Sequence, residues 1–252
     1  PYPINRKTYK IRQMSEKKPT QPGSRQLKTY RHELKYFLSK KEYTIFSKVF
    51  RKTIRMDPNC KENFQYWIRS LYFDTLDNND FYDKIIGVNR RKKIRLRLYD
   101  LDQQQVKIEI KNRYNEYMMK ETAFLEKKEV HQLIKGDRDF LLKKNNPTLN
   151  RIYYYLTRDF YRPTVLIDYE REAYLSEIQN IRITFDKNIR ASTIDFNIFN
   201  KNAHLIPIFD HEIIVLEVKF HQFLPQYIKK IISNCQGSRQ AISKYCISRI
   251  QY

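Results

Sequence analysis

Residues 94–99 read IRLRLY, and residues 106–111 read VKIEIK. Successive side chains of a β-strand point to opposite faces, so each segment presents one apolar face and one charged face. The connection at residues 100–104 is short and polar, which is typical of a hairpin between antiparallel neighbours. These two segments therefore predict an antiparallel sheet with an apolar face and a mostly positive face.

Three other segments repeat this alternation of apolar and charged residues. Their charged faces carry Glu33 with Lys35, Glu217 with Lys219, and Arg182 with Thr184 and Asp186. For a single strand, a polar face in contact with water is the better explanation. Five such strands favour another arrangement, in which helices cover the apolar outer face and the charged side chains point inward.

The predicted fold is an α+β domain built on a closed antiparallel β-barrel of about eight strands, with helices packed outside. The interior of such a barrel can hold one small ligand. Like charges crowded inside it would repel each other and lack water, which is costly for every uncompensated ion. A polyanion and a metal ion would neutralise them, so we expect a binding site for chains of phosphate.

The same patterns define the predicted elements and their limits. The strands are predicted at residues 30–38, 66–74, 92–99, 105–113, 118–125, 163–173, 180–187 and 212–220. The helices are predicted at residues 40–55, 78–86, 126–135, 148–160, 224–235 and 239–250. Residues 1–28 are basic, contain prolines and lack apolar periodicity, which predicts a disordered tail before a folded domain at 29–252. A docking arm for an acidic surface is the alternative for this tail.

The charge of the chain indicates the chemistry of its partner. The 252 residues include 49 Lys and Arg against 28 Asp and Glu, a formal net charge of +21. Such a charge predicts a polyanionic partner: nucleic acid, an anionic membrane or phosphate-rich small molecules. The four glycines are too far apart for a G-x-G-x-x-G or G-x-x-x-x-G-K-[ST] loop, so bound phosphates must be held by side chains.

Signatures of structural metal clusters, secretion and membrane insertion are missing from the sequence. The three cysteines form no C-x-x-C pair, and the five histidines form no H-E-x-x-H motif. No apolar run approaches the roughly 20 residues of a membrane span, and no signal-peptide core precedes the domain. We expect a soluble protein of a reducing, cytoplasmic compartment.

Eight short blocks carry a family resemblance. They read YRHELKY at 30–36, SLYFD at 70–74, RLRLY at 95–99, EIK at 109–111, YEREAY at 169–174, RITFD at 182–186, LEVKF at 216–220 and SKY at 243–245. In this order they resemble the catalytic domain of the VTC (vacuolar transporter chaperone) family. That family belongs to the CYTH-like triphosphate tunnel metalloenzymes, whose antiparallel β-tunnel is lined with basic and acidic side chains, and the VTC branch makes inorganic polyphosphate from ATP.

The resemblance implies roles for eleven residues that would grip phosphate oxygens. Catalytic contacts fall to Arg95, Arg97, Lys111, Arg171 and Arg182. Phosphate binding falls to Lys35, Lys120, Arg190, Lys219, Ser243 and Lys244, although we expect Arg190 beyond the end of its strand. Arginine suits this task through bidentate hydrogen bonds, and lysine through a compact charge. A solvated position on the sheet is the alternative for any one of them.

The resemblance also implies a metal site at Glu217, which matches the metal-binding glutamate of the family. A carboxylate combined with triphosphate oxygens suits Mn²⁺ or Mg²⁺, whereas pairing with a neighbouring lysine is the alternative. Glu33 and Glu109 are expected to orient the basic residues and balance their charge. The hydrolase and cyclase branches carry E-x-E-x-K on the first strand, but Arg31 replaces the first glutamate here, which disfavours thiamine-triphosphatase or adenylate-cyclase chemistry.

The predicted function is a metal-dependent polyphosphate polymerase, a phosphotransferase of the ATP–polyphosphate type. A tri- or polyphosphate hydrolase of the same fold and a non-catalytic polyphosphate-binding domain are the alternatives. ATP and inorganic polyphosphate or triphosphate are the expected partners. Nucleic acid is disfavoured because many of the 20 Tyr and 15 Phe lie at apolar periodic positions. A membrane-bound partner subunit is left open, since related domains work beside membrane subunits in eukaryotic VTC complexes.

Overall fold

The computed structural model describes residues 31–115, 117–210, 212–237 and 239–250, so the predicted tail at 1–28 lies outside the described residues. The strands are β1 (Arg31–Leu38), β2 (Arg55–Met56), β3 (Tyr66–Asp74), β4 (Arg90–Arg91), β5 (Ile94–Leu98), β6 (Gln105–Tyr114), β7 (Tyr117–Glu126), β8 (Arg162–Ser176), β9 (Ile181–Ser192), β10 (Ile206–Pro207) and β11 (Ile214–His221). The helices are α1 (Lys40–Thr53), α2 (Asn79–Ile86), α3 (Lys127–Ile134), α4 (Phe140–Lys143), α5 (Pro147–Arg158), α6 (Gln226–Ser233) and α7 (Lys244–Ile250), with a 3-10 turn at Ile178–Asn180. The eight longer strands correspond to the eight predicted ones.

All described strands belong to one antiparallel sheet. Its main path is β1-β11-β9-β8-β3-β5-β6-β4, while β7 pairs with β6, β10 with β9 and β2 with β8. Within the described residues no hydrogen-bonded ladder joins β1 to β7, so the predicted closed barrel is not confirmed. Both of these end strands nevertheless line the same cavity, and the sheet therefore curves around an interior.

The outer face of the sheet is apolar and is covered by helices, as the alternation predicts. Leu96 and Ile108 pack with Leu149 and Ile152 of α5 in one cluster, and a second cluster joins α1 and α6 to β1, β9 and β11. Burial of each such Leu or Ile side chain stabilises the folded state by roughly 1.5–3 kcal/mol. A slip of one residue would drive arginines into this layer, so burial of the apolar face fixes the register that points the charges inward.

A third apolar cluster lies on the inner face of β3, β8, β9 and β11. There Val215 of β11 and Ile167 of β8 pack with Ile242, Tyr245 and other residues of the C-terminal segment. This cluster fills part of the interior, so the charged side chains surround the remaining space.

The C-terminal helix begins later than predicted. Residues 239–243 have no regular secondary structure, and α7 begins at Lys244. The cause is pairing with β1: the backbone N–H of Gln240 donates to the carbonyl of Lys35 at 3.0 Å, and Lys35 Nζ donates to the carbonyl of Ile242 at 3.0 Å. These contacts replace the first turn of the predicted helix and draw residues 239–243 across the interior.

Among the described residues, no helix combines the length and the apolar character needed to cross a bilayer.

Candidate functional site

The curved sheet encloses a cavity of about 730 Å³ on its charged face. Fourteen Lys or Arg side chains and three Glu side chains line this cavity. Such an excess of positive charge in a partly desolvated space is costly unless anions neutralise it. The cavity is therefore suited to a ligand with several negative charges.

Glu217 is the centre of a charge cluster on β1, β8 and β11. Its carboxylate is 3.5 Å from Lys35 Nζ, 2.7 Å from Lys219 Nζ and 4.0 Å from Arg171. Lys35 also contacts Glu33 at 2.7 Å. Burial raises the pKa of Glu217, but the positive charges of Lys219 and Lys35 outweigh burial and hold it well below its ordinary value. Glu217 is therefore an ionised carboxylate in the interior.

Arg171 is fixed by a carboxylate that the sequence-based predictions did not assign. Its guanidinium donates two parallel hydrogen bonds to Asp186 of β9, at 2.6 and 2.8 Å, and Lys244 contacts the same carboxylate. Burial raises the pKa of Asp186, but the charges of Arg171 and Lys244 lower it to about 2. Asp186 lies on the charged face with Arg182 and Thr184, which was the signal available in the sequence.

Glu109 holds an arginine and a lysine in the same way on the opposite side of the cavity. Its oxygens are 2.7 Å from Arg95 Nε and 3.1 Å from Lys120 Nζ, and Arg95 also donates to the Tyr72 hydroxyl at 3.1 Å. Burial raises the pKa of Glu109, but Arg95 and Arg97 outweigh it and lower that pKa to about 2. The predicted charge-balancing position of Glu109 corresponds to these contacts.

Arg97 and Lys111 line the cavity without forming an ion pair to any described carboxylate. Arg97 instead donates to the hydroxyls of Ser70 and Tyr169, both at 3.2 Å. Burial lowers the pKa of Lys111. Neutral groups hold Arg97 in position, and no described carboxylate pairs with either cation, so both charges are available to an anionic ligand.

Several lining residues were missed by the sequence-based predictions, and Lys93 is the clearest case. Lys93 lies two residues before Arg95, so the period of two places both on the same face. Its Nζ donates to the Ser243 hydroxyl at 2.9 Å. Burial lowers the pKa of Lys93 to about 8, and the nearby Lys111 acts in the same direction. The other missed basic lining residues are Lys84, Arg91, Lys92, Arg113 and Arg239.

Tyr72 is a second missed residue of the cavity wall. Burial opposes its ionisation, but the charges of Arg95 and Arg97 outweigh burial and lower the pKa of Tyr72 to about 7. The pattern of β3 gave no signal for this phenol, because the arginines beside it come from β5.

Twelve of the fourteen predicted site residues line this one cavity. They are Glu33, Lys35, Arg95, Arg97, Glu109, Lys111, Lys120, Arg171, Glu217, Lys219, Ser243 and Lys244. Arg182 lies on the same face, directly opposite Lys219, but outside the cavity lining. Its guanidinium donates to Asp57 at 2.7 Å and to the Tyr66 hydroxyl at 2.9 Å.

Arg190 lies within β9, which extends to Ser192, and not beyond the end of the strand as predicted; its side chain lies on the other face of the sheet. Between β8 and β9 the register shifts, and two residues of β9, one of them Asn188 with a φ of 49°, stand opposite a single residue of β8. Such a bulge reverses the facing of the residues after it. Arg190 therefore lies opposite Asp168, 3.9 Å away, and lines a separate cavity of about 240 Å³ with Trp67.

The carboxylates that line the cavity suit a metal ion that is also coordinated by a phosphate ligand. The described residues contain no group of three or more His, Cys, Asp or Glu that could hold a metal. Glu217 and Glu33 are adjacent, since both contact Lys35. Mg²⁺ in phosphate-transfer sites is typically bound by one or two carboxylates together with phosphate oxygens and water. Two carboxylates suffice for such a site, whereas an all-protein site would need more.

Comparison with known proteins agrees with this architecture. A family model described as the VTC domain matches residues 30–251. The putative adenylyl cyclase HpAC1 from Hippeastrum, described as having a dominant triphosphatase activity, has a TM-score of 0.52 and 12% identity over 87% of this chain and 95% of that chain. A putative adenylate cyclase from Bacillus halodurans gives 0.48 and 12% over 85% and 93% of the two chains. No curated protein matches the chain. The Hippeastrum structure supports the fold alone, since its identity is low.

Proposed function

Because the chain belongs to the VTC domain family, we propose that it is a metal-dependent polyphosphate polymerase that transfers the γ-phosphate of ATP to a growing inorganic polyphosphate chain. The observation that carries this proposal is the composition of the cavity: fourteen Lys or Arg side chains beside three Glu. The cations match a polyphosphate, and the carboxylates match a metal ion that accompanies it. A glycine-rich phosphate loop is not needed for such a site.

The triphosphate of ATP would lie along Arg95, Arg97, Lys111 and Arg171. Arg97 supports this assignment because hydroxyls hold it while no described carboxylate neutralises it. A terminal phosphate oxygen of the acceptor chain forms the new bond to the γ-phosphorus, and the bond from that phosphorus to the bridging oxygen of ADP breaks. Phosphoryl transfer depends on positioning and charge neutralisation more than on a protein nucleophile.

Glu217 and Glu33 would hold Mn²⁺ or Mg²⁺ together with phosphate oxygens. The ion would add charge neutralisation where negative charge is transferred. Lys35 and Lys219 contact these carboxylates in the structure, at 2.7 Å for the pairs Lys35–Glu33 and Lys219–Glu217. On binding of the ion and the nucleotide, the same lysines would turn toward phosphate oxygens.

We assign the remaining predicted phosphate contacts to Lys120, Ser243 and Lys244, which line the same cavity. We also propose that the protein acts in a reducing, cytoplasmic compartment. Free thiols at Cys60, Cys235 and Cys246 support this assignment.

A tri- or polyphosphate hydrolase is the second candidate. The observation that favours it is the fold similarity to the Hippeastrum protein that is described as a triphosphatase. Both enzymes would use the same grip on phosphate, and they differ in whether water or an acceptor phosphate reaches the γ-phosphorus.

The test is incubation of the purified chain with ATP and Mn²⁺ or Mg²⁺, with parallel samples of tripolyphosphate, resolved on a gel that separates phosphate chains. Glu217→Gln removes the metal-binding charge, and Glu62→Gln is the matched control because Glu62 is exposed outside the cavity. Long chains and ADP that disappear only in Glu217→Gln are the expected result. Orthophosphate without chains would favour the hydrolase. Tight polyphosphate binding without turnover would identify a non-catalytic binder and overturn both enzymes.

A further inference from the structure

One part of the inner face places like charges directly opposite one another. Strands β4 and β5 face β6 there, and the opposed residues are joined by antiparallel pairing. The opposed cations are the pairs Arg91–Arg113, Lys93–Lys111 and Arg97–Lys107. Like charges at directly opposed positions of a sheet are destabilising. Only the pair Arg95–Glu109 interrupts this ladder of cations.

The ladder is longer than a triphosphate requires. Residues two apart along a strand are separated by about 6.6 Å, so the four rungs extend over about 20 Å. Three linked phosphates would cover only the central part of that length. A longer chain of phosphates could reach all the cations of the ladder that line the cavity, which are Arg91, Lys93, Arg95, Arg97, Lys111 and Arg113.

The outer rung, Arg91 with Arg113, is positioned but not neutralised. Arg91 donates to the carbonyl of Val88 at 2.5 Å, and Arg113 donates to the carbonyl of Asn115 at 2.7 Å. Neither forms an ion pair with a carboxylate in the part of the chain that the structure describes, and burial together with the charge of Arg113 lowers the pKa of Arg91. Each guanidinium has five N–H donors, so most of them remain free for a ligand.

The location of the outer rung distinguishes it from the metal cluster. Arg91 and Arg113 lie at the β4 edge, beside Lys93 and Lys84, whereas Glu217 and its partners lie on β1, β8 and β11. The cations at the β4 edge form no ion pair with a carboxylate among the described residues, so they match phosphates that carry no metal ion. Phosphates that share a metal ion would belong at the second place.

We propose that the outer rung, together with Lys93, is a binding site for the polyphosphate chain beyond the reacting triphosphate. The chain passes between Arg91 and Arg113 as it leaves the cavity. This inference rests on the proposed function, because it assumes that condensed phosphates occupy the cavity.

The test is calorimetric titration at one salt concentration with tripolyphosphate and with a long-chain polyphosphate. The variant is Arg91→Gln/Arg113→Gln. The matched control is Arg55→Gln/Arg90→Gln, which removes the same charge from two exposed arginines that do not line the cavity. We expect the variant to bind long chains about tenfold more weakly, since two charge-assisted contacts are lost. Its tripolyphosphate affinity should stay within twofold of the control.

Equal long-chain affinity in variant and control would overturn the outer rung, while retained tripolyphosphate binding would leave the proposed function intact. Failure of the unmodified chain to bind either phosphate would overturn both. A single-stranded oligonucleotide serves as the third titrant. If it bound as tightly as long-chain polyphosphate and lost affinity in the same variant, the site would be a general polyanion site and the assignment to polyphosphate would be wrong.

Discussion

Two walls of the cavity differ in whether their cations form ion pairs with carboxylates of the protein. The paired wall, on β1, β8, β9 and β11, matches its cations with carboxylates: Lys35 with Glu33, Lys219 with Glu217, and Arg171 with Asp186. The open wall, on β4, β5 and β6, contains the cations Arg91, Lys93, Arg97, Lys111 and Arg113, none of which forms an ion pair with a described carboxylate. The paired wall is neutralised by the fold, whereas the open wall depends on a ligand. The two walls therefore differ in what neutralises their cations before a ligand binds.

The largest effect is expected in the paired wall, from Arg171→Met. This change leaves Asp186, which is fully buried, without its bidentate partner. Removal of one member of a buried ion pair typically lowers the free energy of unfolding by about 3–5 kcal/mol. Urea unfolding followed by circular dichroism would measure the loss. Arg55→Met, on the exposed surface, is the control, and a loss that matches this control would contradict the distinction between the walls.

A substitution in the open wall should lower the activity rather than the stability of the protein. Arg97→Gln keeps a polar side chain beside the hydroxyls of Ser70 and Tyr169. It removes the positive charge that, in the proposed mechanism, contacts the phosphates. Loss of one preorganised group that stabilises transition-state charge typically lowers kcat by about 10²–10³. Steady-state formation of ADP from ATP would measure it, with unfolding by urea as the check on the fold. Unchanged kcat in a folded variant would remove Arg97 from the reaction.

A smaller effect is expected on the pH dependence of binding. Because burial lowers the pKa of Lys93 to about 8, its ammonium is charged at pH 7 and mostly neutral at pH 9.5 in the free protein. Binding of polyphosphate above pH 8 then requires proton uptake by Lys93, so affinity falls as pH rises, by up to about tenfold per pH unit. Titrations between pH 7 and 9.5 would measure this slope.

Lys93→Arg is the informative variant for that slope, because arginine keeps its charge over the whole range. The decline with pH should be shallower than in the unmodified chain, and the remaining part would come from groups such as Lys219, whose pKa burial also lowers to about 8. Identical slopes in the two proteins would show that Lys93 does not titrate during binding.

The facing of the site residues could be read from the sequence wherever a strand is regular. The period of two predicts that Arg95 and Arg97 share a face, and the same rule extends to Lys93, which the motif-based assignment left out. Arg190 shows where the rule stops. A bulge in β9 inserts one residue, and no local pattern around Asn188 announces it, so the facing is reversed beyond that point.

Partners from distant segments could not be predicted in the same way. Arg182 is held by Asp57, which follows β2, and 125 positions of sequence separate the two residues. The path of residues 239–243 depends on β1, where the carbonyl of Lys35 accepts a hydrogen bond from the backbone N–H of Gln240. Local periodicity contains no information about either contact. The same holds for closure of the sheet, which would require β1 to pair with β7, and no ladder joins these strands within the described residues.

The smallest effect is expected from Lys93→Met, whose effect on the free energy of unfolding should change sign when polyphosphate is added. Its half-buried side chain lies opposite Lys111 without a described carboxylate partner, so desolvation of its charge below pH 8 destabilises the folded state. Lys93→Met should leave the free energy of unfolding unchanged or raise it by up to about 1 kcal/mol at pH 7, because an apolar side chain of similar length avoids that desolvation. Added polyphosphate should reverse the order, since a ligand stabilises the folded state in proportion to its affinity. Urea unfolding with and without long-chain polyphosphate would measure both differences, and a clear loss of stability without the ligand would show that the open wall is neutralised by the fold after all.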